Sequence, residues 1–445
     1  MLIFDASVLE GEVIGVNQSV ITWQFPEPVT RLSRIAFHLG AFAIAFLILF
    51  SRRPDAVLYA QFYAEDGTYW FADAYNHGWQ CLAMPEAGYL HTVPRLVALF
   101  TLLFPFALAP LVMNLVAFFF QILPINYFLS SRFNSIPLNL RILGSLLYVA
   151  IPNSFEIHGN ATNIQWHLAL LAALVILAKP PQSRAWLSFD LIILALVSID
   201  SPLGIPLVAL IAGAWWFRRD NHARFQLLAL IPGTALEVIV LLLSHSRRDA
   251  ENGANLTRLA SILGEQVFMS SILGVRTGMQ FYYGHMRYLL ACELVALFIG
   301  LAVIAYALLY APAELKLFIL FSAGVLAMAL RHPLATLEPT PGQWQLLRIP
   351  GFGNRYYFFL MLSFFASLIW MAAANRSSSR FPRYAALAIL LLSPFGIVRD
   401  WKYKPFADFN FSKYVTKFEQ AAPGTKVVIP TNPTWSTWTM ELIKR

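Results

Sequence analysis

The stretch Val93-Pro94-Arg95-Leu96-Val97-Ala98-Leu99-Phe100-Thr101-Leu102-Leu103-Phe104 decides the fold, because counting it as a membrane crossing reverses the sidedness of every later loop. A crossing helix needs about 20 apolar residues, with a range of roughly 17–25. This run is shorter, is bracketed by Pro94 and Pro105, and carries Arg95. It reads as an amphipathic helix lying along the membrane surface. One side of the membrane then receives Arg31 and Arg34, Arg132 and Arg141, Lys179 and Arg184, Arg218, Arg219 and Arg224, Lys316, and finally Arg376, Arg380 and Arg383. An unbroken succession of basic segments marks that side as cytoplasmic.

Outward from this stretch the chain is a series of apolar runs. Spans are read at 34–50, 106–129, 140–152, 163–178, 187–199, 203–217, 225–243, 289–310, 315–330, 356–374 and 384–398. The expected fold class is an all-α polytopic membrane protein with about 11 transmembrane helices, N-terminus inside and C-terminus outside. Composition agrees: 58% of residues are hydrophobic and 13% charged, against roughly 45–50% and about 25% in soluble domains. The net charge of +8 falls in short loops between apolar runs. Positive-inside topology accounts for it, and no nucleic-acid partner is read. Cys81 and Cys292 give neither a disulfide framework nor a metal spacing. Residues 1–34 hold no short apolar run ending in small residues, so no cleaved signal peptide is read and the first span serves as its own insertion signal.

Two regions follow. Residues 1–398 form the transmembrane domain, with outer loops at 51–92, 244–288 and 331–355. Residues 399–445 form a small extracytoplasmic segment, with turns at Pro423-Gly424 and Asn432-Pro433 and a short strand at 426–429. At about 45 residues it is too small to bury a core of its own and must lean on the loops or the membrane surface. Within loop 244–288, Leu256, Leu259, Ile262, Leu263 and Val267 recur at helical spacing, which reads as a second surface-lying helix.

The first outer loop concentrates the chemistry. It contains Ala64-Glu65-Asp66-Gly67-Thr68-Tyr69-Trp70 and continues to Pro85-Glu86-Ala87-Gly88-Tyr89-Leu90-His91. Adjacent carboxylates amid Trp, Tyr and His suit carbohydrate chemistry, and Gly67 lets a second backbone or a sugar come close. The competing reading is that Glu65 and Asp66 are solvated acids capping a helix from 68 to 75. A second constellation, Arg348-Ile349-Pro350-Gly351-Phe352-Gly353-Asn354-Arg355-Tyr356, opens a span from the same side. Its arginines suit an anionic group at the membrane surface. Arg331 and Arg287 are weaker cases of the same kind, and each of these residues also serves as a headgroup anchor.

A polytopic chain with a large first outer loop bearing an acidic pair just after the first span, and surface-lying helices in outer loops, resembles the GT-C superfamily of membrane glycosyltransferases. The resemblance covers the architecture of most of the chain. It implies a catalytic first-loop carboxylate, a sugar donor carried on a polyprenyl phosphate, and transfer on the outer face. Carried over by position, the catalytic candidates are Asp66 and Glu65. This sequence has Glu-Asp-Gly where that superfamily has Asp-x-Asp or Asp-Asp, so which carboxylate acts, and whether a divalent cation is bound, stay open; no other cofactor is implied.

Glycosyl transfer to a hydroxyl needs a base near the acceptor oxygen and stabilisation of the departing phosphate. Asp66 or Glu65 would supply the first, and Arg355, Arg348, Arg331 and Arg287 the second. Trp70, Tyr89, His91, Glu156, His158 and Asp200 are the candidate sugar-lining residues; Asp200 reads equally as a turn residue before Pro202. No metal ligands are assigned. The expected function is transfer of a sugar from a polyprenyl-phosphate donor to a glycan, lipid or protein acceptor at a bacterial-type inner membrane. Rival readings are a transporter or flippase of lipid-linked saccharides, which would want ionisable groups at mid-membrane, and a non-catalytic scaffold.

Overall fold

Each of the apolar runs folds as a helix. In a computed structural model the protein is described over residues 25–244, 251–335, 341–374, 380–434 and 438–445, with residues 286 and 287 described in backbone only. Among the described residues, 7 helices are long and apolar enough to cross a membrane: Arg31–Arg52, Phe106–Phe128, His222–Leu243, Tyr288–Tyr310, Ala313–Arg331, Asn354–Ala373 and Phe381–Arg399. The protein is thus a mostly helical, multi-pass membrane protein. Leu138–Ala150, Ile164–Leu177, Arg184–Ser198 and Gly204–Arg218 are shorter. At about 1.5 Å per residue they reach roughly 20–23 Å. Nearly every residue of Ile164–Leu177 is buried, so this helix, apolar all round, forms the centre about which the others pack.

The run that decides the topology is a helix of 10 residues, Thr92–Thr101, only about 15 Å long. It buries Val93, Arg95, Val97, Ala98 and Thr101 against the protein and leaves Phe100, Leu103 and Phe104 exposed at its end. Its first turn is tied down from outside: the Val93 amide donates to the Asp200 carboxylate at 2.8 Å and the Thr92 hydroxyl to the Ile199 carbonyl at 2.6 Å.

The second helix expected on the surface behaves differently. Leu256–Ser261 begins exposed at Leu256, but the wide, π-type turns of Ile262–Met269 are buried against the Met286–Tyr310 and Asn354–Ala373 helices. Gly264 makes this fit, because a Cβ there would meet the Glu293 carbonyl oxygen at 2.3 Å.

The two ends of the bundle carry different chemistry. At one end Arg132 pairs with Asp190 at 2.9 Å, Lys179 bonds Asn134, and Arg218 bonds the carbonyls of Ile176 and Ala178, each at 3.0 Å, and faces Glu314. The other end gathers loops 51–92, 153–163 and 341–353 with the segment after Arg399. Gln266 and Asp400 knit it together. Gln266 donates to the carbonyls of Leu347 and Ile349 and accepts from Asn153, while Asp400 accepts from the amides of Asn153, Val275 and Arg276.

The C-terminal segment forms a helix, Phe411–Gln420, and two antiparallel strands, Lys426–Pro430 and Thr439–Ile443. It leans on the first loop. Phe411 and Phe418 meet Phe62, Tyr75 and Phe106 in an aromatic cluster with centroids 5.2–5.5 Å apart.

Candidate functional site

Arg52 and Arg53, which end the first long helix, are both buried and lock it to the loop opposite. Arg52 donates to the carbonyls of Val149 and Ile151, and Arg53 to those of His158 and Phe155. Charged donors on several carbonyls satisfy irregular backbone that would otherwise be costly to bury. The 153–163 loop braces itself as well: Asn163 donates to the Glu156 carbonyl and to the Asn160 side chain, each at 2.9 Å. Loop 153–163 is therefore a fixed wall, and the 51–92 loop folds against it.

Asp66 is the hinge of that contact. Its carboxylate is 1% exposed and accepts from the Ala161 amide at 2.9 Å, the Thr162 amide at 2.7 Å and the Thr162 hydroxyl at 2.7 Å. Trp70, one π-type turn further along Asp66–Phe71, donates its indole N–H to the same Thr162 hydroxyl at 3.0 Å. Neither acid caps the helix it precedes, and Asp66 is not solvated. Burial pushes the Asp66 carboxyl up to about 7, against the pull of the Thr162 and Ala161 donors.

Glu65 is half-buried, and its own backbone amide and the Thr162 hydroxyl act on its carboxylate. Burial raises its proton affinity, while the nearby Arg355 guanidinium and Thr162 hydroxyl lower it. Arg355 is ion-paired with Glu156, the two being 23% and 13% exposed, and it also donates to the Leu334 carbonyl at 2.9 Å and the Tyr356 hydroxyl at 3.0 Å. Tyr63 and Tyr89 border the same charges: Glu65 and Arg355 act on both phenols, and burial pushes Tyr63 up to about 12. Gln165 donates to the Tyr89 hydroxyl at 3.5 Å. The result is an alternating cluster of Glu65, Arg355 and Glu156, edged by aromatic rings. Such an arrangement can take a proton, hold an anion and stack against a sugar face.

The other expected residues divide. His91 lies between Trp70 and Tyr89, with ring centroids at 4.5 and 3.8 Å; burial beside Arg95 keeps it neutral. Trp70 is fully buried under Arg95, so it supports the loop from behind. His158 bonds the Tyr403 hydroxyl at 2.8 Å and stacks on His167, inside the support of the 153–163 loop. Asp200 caps the Thr92–Thr101 helix. Arg348 is half-buried, and its Nε is without a hydrogen-bond partner among the described residues. Arg331 is exposed, with its carbonyl bonded by Asn252. The side chain of Arg287 lies outside the described residues.

Sequence reading missed Thr162, Tyr63, Gln165 and Asn432. No local sequence pattern marks Thr162, whose hydroxyl donates to Asp66. Among the described residues no group of three or more His, Cys, Asp or Glu is arranged to hold a metal ion. The chain matches no protein-family model and no curated protein.

Proposed function

We propose that this protein is a membrane glycosyltransferase of the GT-C kind, with eleven spans, its N-terminus inside, and its acid loop on the outer face of a bacterial inner membrane. The observation that carries the reading is the convergence of Glu65 and Arg355, from distant parts of the chain, beside a carboxylate pinned by backbone donors. An acid held by the 160–162 backbone, a second acid beside it and a guanidinium match what sugar transfer from a lipid phosphate requires.

In this reading Glu65 is the base and Asp66 holds it in position. The acceptor hydroxyl oxygen bonds to the anomeric carbon, its proton passes to the Glu65 carboxylate, and the anomeric carbon–phosphate oxygen bond breaks. The polyprenyl phosphate leaves with the electron pair, its negative charge met by Arg355. Glu156 holds Arg355 until the phosphate arrives. A flippase is less well supported, because the buried acids Asp200 and Glu237 accept from the backbone amides of Val93 and Leu90, and Glu293 accepts from the Ser261 hydroxyl. The deciding experiment is glycan mass spectrometry of a deletion strain and its parent, followed by transfer assays with purified protein and polyprenyl-phosphate sugars. Loss of a sugar from one envelope glycan, restored by the parent gene and not by a Glu65→Gln gene, is expected; an unchanged glycan profile overturns the reading.

A further inference from the structure

Ala64, immediately before the acid pair, holds a left-handed backbone with φ 41°, a conformation that alanine avoids. What holds it there comes from the far end of the chain. The Ala64 amide donates to the Asn432 carbonyl, and the Asn432 amide donates to the Phe62 carbonyl at 3.0 Å, so Tyr63 and Asn432 pair as a short parallel bridge. The Asn432 side chain is itself clamped, accepting from the Ala407 amide at 2.8 Å and donating to the Ala407 carbonyl at 3.1 Å. On the other side of the acids, Thr431 closes on the loop: the Thr68 and Thr431 hydroxyls lie 3.5 Å apart, and a Cβ on Gly67 would meet Thr431 Cγ2 at 2.8 Å. Thr431 is tied into the strand pair through the Trp438 carbonyl at 3.1 Å.

We propose that the C-terminal segment at Thr431 and Asn432 is a positioning element of the acid site, bracketing Glu65 and Asp66 on both sides. This rests on the function proposed above. The bracket sets the backbone at Ala64 and Gly67, and the backbone sets how the Glu65 carboxylate stands relative to Arg355. Neither residue of the bracket touches the reacting groups; both act through the loop.

The test uses the full-length protein in detergent. Hydrogen exchange over residues 60–70 is compared in the parent, Asn432→Ala and Asn432→Asp, the last keeping the oxygen that accepts from Ala407. Exchange in 62–68 is expected to rise at least tenfold in Asn432→Ala and less in Asn432→Asp, with the Asn354–Ala373 helix unchanged. Turnover is expected to fall at least tenfold in Asn432→Ala while donor KM moves less than threefold. Unchanged exchange at 62–68 in Asn432→Ala overturns the proposal, and so does a loosened loop with unchanged turnover. If the parent itself transfers no sugar, the function fails, yet the exchange comparison still decides whether Asn432 orders the acid loop.

Discussion

Thr162 bonds Asp66 twice, its amide and its hydroxyl both donating to one carboxylate oxygen at 2.7 Å. A carboxylate engaged in this way has little left to offer a substrate, whereas its neighbour Glu65 is less buried and stands beside the Arg355 guanidinium. Hydrogen bonds to charged groups contribute about 1.5–3 kcal/mol each, so Asp66 is expected to matter for the loop and Glu65 for the chemistry.

That division gives a paired outcome. Glu65→Gln should lower turnover by roughly 10²–10⁴-fold, the usual contribution of a positioned base, with melting temperature near the parent's. Asp66→Asn should lower both turnover and melting temperature. Steady-state rates and thermal melts of the purified variants check this, and a Glu65→Gln protein of parental turnover would remove Glu65 from the chemistry.

The pH dependence follows from Arg355. Under the proposed function ionised Glu65 is the working form, so turnover should be lost as pH falls through its folded pKa, which burial holds above the ordinary carboxylate value. Arg355 opposes that shift. Arg355→Met should therefore move the acid limb of the rate profile to higher pH; a limb that stays put, or moves down, contradicts the pairing.

Asp66 has its own signature in stability. Its folded pKa of about 7 exceeds the ordinary 3.8, so between those values the folded state retains a proton that the unfolded state has lost. Stability should fall as pH rises from about 4 to about 7 through this group and then level off. Thermal melts across that range should show a shallower slope in Asp66→Asn.

Under the proposed function, Glu156, paired with Arg355, would compete with the donor phosphate for it. Glu156→Gln removes the rival anion and should tighten binding of polyprenyl phosphate, while Arg355→Lys, which loses the planar fork, should weaken it by roughly tenfold for each ~1.4 kcal/mol lost. Binding isotherms on the two variants should thus move in opposite directions; equal affinities would detach Arg355 from the phosphate.

Sidedness is checked by fusions. A reporter active only outside should be silent after Arg141 or Arg224 and active after Arg445, and silence after Arg445 would overturn the eleven-span reading.

Helix positions were legible because apolar runs are a local property: the runs at 34–50 and 106–129 fold as Arg31–Arg52 and Ala109–Phe128 with only their ends adjusted. The acid pair was legible as an anomaly, two carboxylates after an apolar segment. What periodicity cannot carry is partnership across the chain. Nothing near Asp66 announces Thr162, and nothing near Ala64 announces Asn432. The 256–269 stretch read as a surface helix because its leucines recur regularly, yet its buried part is fixed by Gly264, whose missing side chain lets it press on another helix. Likewise a strand at 426–429 was visible from its β-branched residues, whereas its mate, Thr439–Ile443, was not.

The bridge between Tyr63 and Asn432 also orders events in time. The ribosome releases the acid loop after the first helix and the residues around Asn432 only after the last, so the loop waits through the synthesis of the whole bundle for its partner strand. A nascent chain can insert, pack its helices and still lack an ordered Glu65. Under the proposed function, the acid site is completed only when the C-terminal segment docks.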